Sequence, residues 1–259
     1  MLFLHDYIAQ FAKEKSAPRR ELGQVLSRTK KTFDLFVGGN PPEAFEGLVD
    51  RYNWIGINKG AYGVSQNESR NLVGALMQDY LLHLALFLCE PYPTLDLFTE
   101  IRVSFGRYPL WSAGAVEFVN PSEHSDLAIG YLADAEGKAL PGEGPWPRQP
   151  YYCLPVGRSV FPLVTMNSKI RVSQGEFFDW LGREQLMTKG NPHCLSIQVA
   201  LRKEMDMDIV EAAQAGDKFF LLGEGGERDV VPNRPELGRL CKAVISHLTE
   251  RMATPPTRI

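Results

Sequence analysis

Val160-Phe161-Pro162-Leu163-Val164-Thr165-Met166-Asn167-Ser168-Lys169-Ile170 reads as a strand, and its continuation sets the architecture. Ser173-Gln174-Gly175-Glu176 is a capping box: the serine hydroxyl accepts from the backbone N–H three residues on, and the glutamate reaches back to the serine N–H. The helix it opens is expected to run to Lys189 and stop at Gly190-Asn191-Pro192, with the glycine in the left-handed conformation. Cys194 to Leu201 is a second strand. Strand, helix, strand implies an α/β fold with a mixed sheet and helices on its faces.

Outward from this unit, Ile209 to Ala215 reads as a short helix, Lys218 to Leu222 as a strand, and Glu236 to Met252 as a closing helix with Pro235 in its first turn. Upstream, Val116 to Val119 and Leu127 to Leu132 are short strands around the turn Asn120-Pro121-Ser122, and the Gly- and Pro-rich stretch 133–150 is an exposed loop. A second capping box, Ser65-Gln66-Asn67-Glu68, opens the strongest helix in the chain. Its stripe Leu72, Leu76, Tyr80 and Leu84 is core, and Pro91 and Pro93 end it. Residues 1–36 are helical with a break at Ser16-Ala17-Pro18, Gly38 to Pro42 is a loop, and 51–64 is rich in Gly, Asn and aromatics. The expectation is one domain over 1–259: a helical region at 1–90, an α/β core at 115–222 and a closing helix at 234–252.

Composition narrows the function. A chain of 259 residues, 44% hydrophobic, can bury a core without disulfide or metal staples. A net charge of −3 excludes a polycation that coats nucleic acid or anionic membrane, but not a local basic face. The N-terminus has no signal-peptide pattern, and the apolar stretch Leu72 to Cys89 carries Gln78, Asp79 and His83, so it reads as a buried helix rather than a membrane span. Cys89, Cys153, Cys194 and Cys241 are far apart, which favours free thiols in a reducing cytoplasm. His193-Cys194 is a weak nucleophile pair, since neighbours on a strand face opposite ways. There is no G-x-x-x-x-G-K-[ST], no G-x-S-x-G and no H-E-x-x-H, which removes P-loop NTPases, ordinary serine hydrolases and zincins.

Two strand ends carry the remaining chemistry. Asp126 begins an apolar strand and Asn167-Ser168-Lys169 finishes another just before a helix. A carboxylate is a hard ligand for a divalent cation, and a lysine beside it can orient an attacking water and stabilise charge on a phosphate. Asn167 and Lys169, two apart, share a strand face. On spacing alone, an Asp placed like Asp126 is more often a turn residue and a Lys placed like Lys169 more often an edge charge.

These stretches resemble the PD-(D/E)XK nucleases, type II restriction endonucleases in particular. His124-Ser125-Asp126-Leu127-Ala128-Ile129 resembles their P-D strand, with Ser125 in place of proline. Asn167-Ser168-Lys169 resembles the (D/E)-X-K strand, followed by the helix and strand the family has there, and the run from Lys59 through Arg70 to Leu88 resembles the long helix before the catalytic core. The resemblance spans about residues 55–222. It implies a PD-(D/E)XK-type mixed sheet flanked by helices, with a helical N-terminal region, and Mg²⁺-dependent, sequence-specific hydrolysis of double-stranded DNA. Asp126 would bind metal and Lys169 would activate water. Asn167 stands where the family has an acid, and an amide brings no charge. Glu176 from the following helix, then Glu68, then Glu117, could supply the missing carboxylate. Both Glu176 and Glu68 also belong to capping boxes.

Arg171, Ser173, Gln174, Asn67 and Arg70 are expected to touch DNA, with Lys59, Asn71, Arg183, Lys189 and Lys203 as further contacts. The basic run from Arg19 to Lys31 is an electrostatic candidate. Two cuts in a duplex imply a homodimer or paired subunits, and the family implies a companion DNA methyltransferase. Two other readings stay open: a catalytically silent DNA-binding or assembly subunit on the same fold, which Asn167 motivates, and a small-molecule enzyme on an unrelated α/β fold.

Overall fold

The strand at Val160 extends over Ser159–Ser173 (β5) and runs through the middle of a five-stranded sheet. Pro162 to Met166 are all buried, as expected of a strand covered on both faces. A computed structural model describes residues 3–36, 41–104, 108–112, 115–119, 122–134, 158–206 and 218–253, with Leu140, Leu154, Asp208 and Ile209. Residues 210–215 of the predicted helix and most of the loop at 133–150 lie outside the described residues.

Four helices come first: α1 (Phe3–Ala12), α2 (Ala17–Phe36), α3 (Pro41–Asn58) and α4 (Gln66–Cys89). Strands β1 (Asp96–Ser104), β2 (Tyr108–Ser112), β3 (Ala115–Val119) and β4 (Ser122–Ala133) follow, then β5 and α5 (Gln174–Gly190). The chain continues as β6 (Leu195–Glu204), β7 (Phe219–Leu221), β8 (Gly223–Glu224), β9 (Val231–Pro232) and α6 (Arg234–Ala253). The main sheet has the order β1-β4-β5-β6-β7. β1, β4 and β5 are antiparallel neighbours, whereas β5, β6 and β7 run parallel, with α5 as the crossover between β5 and β6. β2 and β3 form a separate hairpin.

One face of the sheet packs against the helical region and α6. Leu127, Val164, Met166 and Ile197 share a hydrophobic cluster with Phe45, Leu76, Tyr80, Leu240 and Val244. The other face carries α5, where Phe177 and Trp180 pack on Val172, Ala200 and Phe219. α4 is long and apolar enough to cross a membrane, but most of it is buried in this core.

Several local expectations change. The mixed sheet begins earlier than predicted, at β1, in a segment left unassigned between Pro93 and Val116. The loop predicted at Gly38 to Pro42 ends at Pro41, which starts α3; proline is tolerated there because first-turn N–H groups lack intrahelical partners anyway. Gly190 is not left-handed. The helix includes it, and Asn191 terminates the helix at φ −134°. Asn191 does this with its side chain, donating to the Pro162 carbonyl and accepting from the His193 N–H, so no glycine turn is needed. Gly130 is required where β4 and β5 shift register: a Cβ there would lie 2.1 Å from the Phe161 oxygen.

Candidate active site

The β1–β4 ladder sets two carboxylates face to face. Thr99 pairs with Leu127 and Ile101 with Ser125, so Glu100 falls opposite Asp126. Glu100 has φ 50°, the only positive value at a non-glycine among the described residues. Such a backbone costs on the order of 1–3 kcal/mol and persists where the surroundings hold it. Gln78 of α4 donates to Glu100 Oε1 at 2.6 Å, and His124 Nε2 stands 3.1 Å from Oε2. Ligand atoms of Glu100, His124 and Asp126 all lie within 4.8 Å of one another. Burial, and then the Asp126 charge, push the Glu100 carboxyl above its ordinary range, with His124 and Gln78 pulling partly back.

Asp126 is held from β5. Its Oδ2 accepts from the Ser168 backbone N–H at 2.7 Å and from the Ser168 hydroxyl at 2.8 Å. Ser125, which precedes Asp126 in the stretch compared above with a P-D motif, is buried and donates to the Leu127 carbonyl at 2.7 Å. Lys169 is exposed and lines, with Asp126, Glu100 and Gln78, an open cleft of ≈ 1190 Å³. The far wall is α1, through His5, Asp6 and Gln10. Buried Asp79 of α4 fixes that helix by accepting from the N–H groups of Phe3 and Leu4 at 3.3 and 2.9 Å. Asp126 and Lys169 also line a smaller cleft of ≈ 240 Å³ toward α5.

Of the expected donors, Asn167 and Glu176 line the smaller cleft together with Asp126 and Lys169, and each also carries a structural hydrogen bond. Asn167 points its side-chain oxygen at the Asp126 backbone N–H, 3.4 Å away, so it braces the neighbouring strand. Glu176 closes its capping box, accepting from the Ser173 N–H and hydroxyl at 3.0 and 2.9 Å. Burial raises its carboxyl, but the Ser173 bonds and the nearby charges of Lys169 and Arg171 outweigh that, and it titrates below the usual range. Glu68 caps α4 and pairs with Arg19 at 2.7 Å; the Arg19 bond, then the Ser65 N–H, lower it to about 2. Gln78 lies ten positions further along the helix, a rise of about 15 Å at 1.5 Å per residue. Glu117 lies on β3, but its side chain is outside the described residues. Glu100, in none of these expectations, is the carboxylate that meets Asp126. The apolar–polar alternation Leu97, Thr99, Ile101, Val103 was the signal that could have found its strand.

The expected DNA-contact residues divide. Asn67, Arg70, Arg171 and Gln174 are exposed, and Arg70 and Asn71 line the large cleft. Ser173 is spent as a helix cap, and Arg171 pairs with Glu204 at 3.0 Å. Arg19 and Arg20, from the basic run on α2, are engaged in ion pairs and carbonyl bonds at the α1–α2 junction. Cys194 is buried and its thiol pushed up to about 12, so it is protonated and not a nucleophile at neutral pH.

No family model and no curated protein matches the sequence. Among solved structures the chain is similar to one in the native BbvCI A2B2 tetramer at low resolution, with a TM-score of 0.60 and 10% identity over 97% of this chain and 98% of that one. The two share a restriction-endonuclease-like fold.

Proposed function

We propose that this chain is a PD-(D/E)XK-type restriction endonuclease that hydrolyses phosphodiester bonds of double-stranded DNA at specific sites with Mg²⁺. The observation that carries this is Glu100 opposite Asp126, in one cleft with Lys169. The donor set suits the ion: two hard carboxylates at close range, with open cleft beside them for water and phosphate oxygens. His124, a softer ligand, sits on the Glu100 side and steadies that carboxylate.

Asp126 and Glu100 would hold the ion. Bound there, Mg²⁺ would supply positive charge against the developing phosphate charge and would lower the pKa of a bound water. The chain's own residues do the rest. Ser168 fixes Asp126, Gln78 and His124 fix Glu100, and the Lys169 ammonium orients the attacking water and stabilises the phosphate oxygens as charge builds. Glu100 supplies from β1 the negative charge that Asn167 lacks, which favours an active enzyme over a silent subunit. Cutting both strands calls for a second copy or a related subunit, and a companion methyltransferase would protect the host genome.

Incubation of the purified chain with plasmid DNA and Mg²⁺ tests this. Discrete fragments are expected from the wild type and intact plasmid from Asp126→Asn and Lys169→Ala. Equal cutting by Lys169→Ala would overturn the assignment, and intact DNA with the wild type would favour the silent subunit.

A further inference from the structure

Four cations converge on a small pocket beside the cleft. Lys59, Arg70, Arg171 and Arg202 line a cavity of ≈ 90 Å³ with Tyr52. Glu204 is shared by Arg171 and Arg202, at 3.0 and 3.1 Å, and Glu227 stands 4.0 Å from Lys59. Two carboxylates thus face four positive side chains, in a protein whose net charge is −3. Arg70 makes no ion pair among the described residues and lines both this pocket and the large cleft. The Arg202 side chain is only 13% exposed, and its buried Nε–H has no acceptor among the described residues. A buried guanidinium donor without a partner, among like charges, is costly unless an anion satisfies it.

The position specifies the anion. Arg171 follows Lys169 by two residues on β5, about 7 Å at 3.3 Å per residue. That is roughly two nucleotide rises of a DNA strand. We propose that the pocket binds a backbone phosphate of the duplex, one to two nucleotides from the phosphate that is cut; this rests on the nuclease reading above. The guanidinium forks of Arg70, Arg171 and Arg202 can each present paired donors to its oxygens, with Lys59 as a point charge. Such a contact sets the register of the strand without reading bases.

The test is binding of a labelled duplex to the full chain in EDTA, by fluorescence anisotropy between about 50 and 200 mM salt. Each phosphate contact contributes about 0.9 to the slope of log K against log[salt]. Arg70→Gln/Arg171→Gln is expected to flatten the slope by about 1 and weaken binding roughly tenfold at the low-salt end. Lys242→Gln, an exposed cation on α6, should leave the slope unchanged. If the double variant fails to fold, the exposed Arg70→Gln alone carries the test. A wild type that binds DNA with a slope the variants do not change overturns the pocket and leaves the nuclease reading intact. Absence of DNA binding by the wild type overturns both. Stabilisation of the wild type by millimolar inorganic phosphate, with an unchanged DNA slope in the variant, would assign the pocket to a free anion and overturn the DNA-phosphate proposal.

Discussion

Glu100 on β1 and Asp126 on β4 occupy directly opposed positions of an antiparallel ladder, the Glu100 backbone at φ 50°. Opposed like charges destabilise a sheet by about 0.2–1 kcal/mol, and the positive φ adds to that. On the proposed reading, a divalent cation held by the two carboxylates would offset that repulsion. Under the proposed function, the same pair would lower the stability of the metal-free chain and hold its metal.

Glu100→Gln should accordingly stabilise the metal-free protein and disable it. The raised Glu100 carboxyl makes its stabilising contribution below its unfolded value and loses it as pH rises through the folded value, so the gain from glutamine should grow as pH rises through that window. Thermal melts in EDTA should rise by one to a few degrees, for about 0.2–1 kcal/mol. Plasmid cleavage in Mg²⁺ should fall by at least roughly 100-fold, on the scale of losing an electrostatic group at a reacting centre. A lower melting temperature or undiminished cleavage would contradict this role.

Ser168→Ala removes one charge-assisted bond to Asp126 and leaves the backbone N–H bond in place. Partners behind a metal ligand are typically worth 10–100-fold in metal affinity. The Mg²⁺ concentration for half-maximal cleavage should rise by about that factor. A titration curve identical to the wild type would show that Ser168 does not position the carboxylate.

The Arg19–Glu68 pair governs acid stability where α2 meets the start of α4. Glu68 titrates near about 2, far below its unfolded value, chiefly through the Arg19 bond. Its contribution is present above the unfolded value and is lost as pH falls through the range from about 5 to 2. Denaturant melts across that range should show a shallower pH dependence for Glu68→Gln than for the wild type. Parallel curves would disprove the linkage.

Gly74 sits inside α4 and lines the large cleft, and a Cβ there would meet nothing within 4 Å. Helix-interior glycine costs about 0.8–1 kcal/mol relative to alanine, so Gly74→Ala should raise stability by up to that amount. A lower denaturation midpoint would mean the helix needs the glycine for its own packing.

Local signals identified the elements whose determinants lie within a few residues. Both capping boxes, at Ser65 and Ser173, form as read, because a serine and a glutamate three residues apart need only a helical turn to meet. The central strand and its crossover helix were legible from apolar runs and stop residues, and with them the mixed α/β sheet and the helical N-terminal region. Asp126 and Lys169 line one cleft, although both lie inside their strands rather than at the ends, since β4 begins at Ser122 and β5 runs on to Ser173. The partner of Asp126 was not legible. Asn167 and Glu176, chosen from the motif resemblance, line a cleft with Asp126 and Lys169, and both also carry structural bonds: Asn167 accepts from the Asp126 backbone across the β4–β5 pair, and Glu176 closes its own cap. Glu100 reaches Asp126 only through the pairing of β1 with β4, and Arg202 meets Arg70 only where β6 passes the start of α4. The amino-acid pattern alone set the elements and the acid and lysine they carry. Which carboxylate opposes that acid, and where the basic charge gathers, came from strand register and layer packing, which bring distant residues to one place.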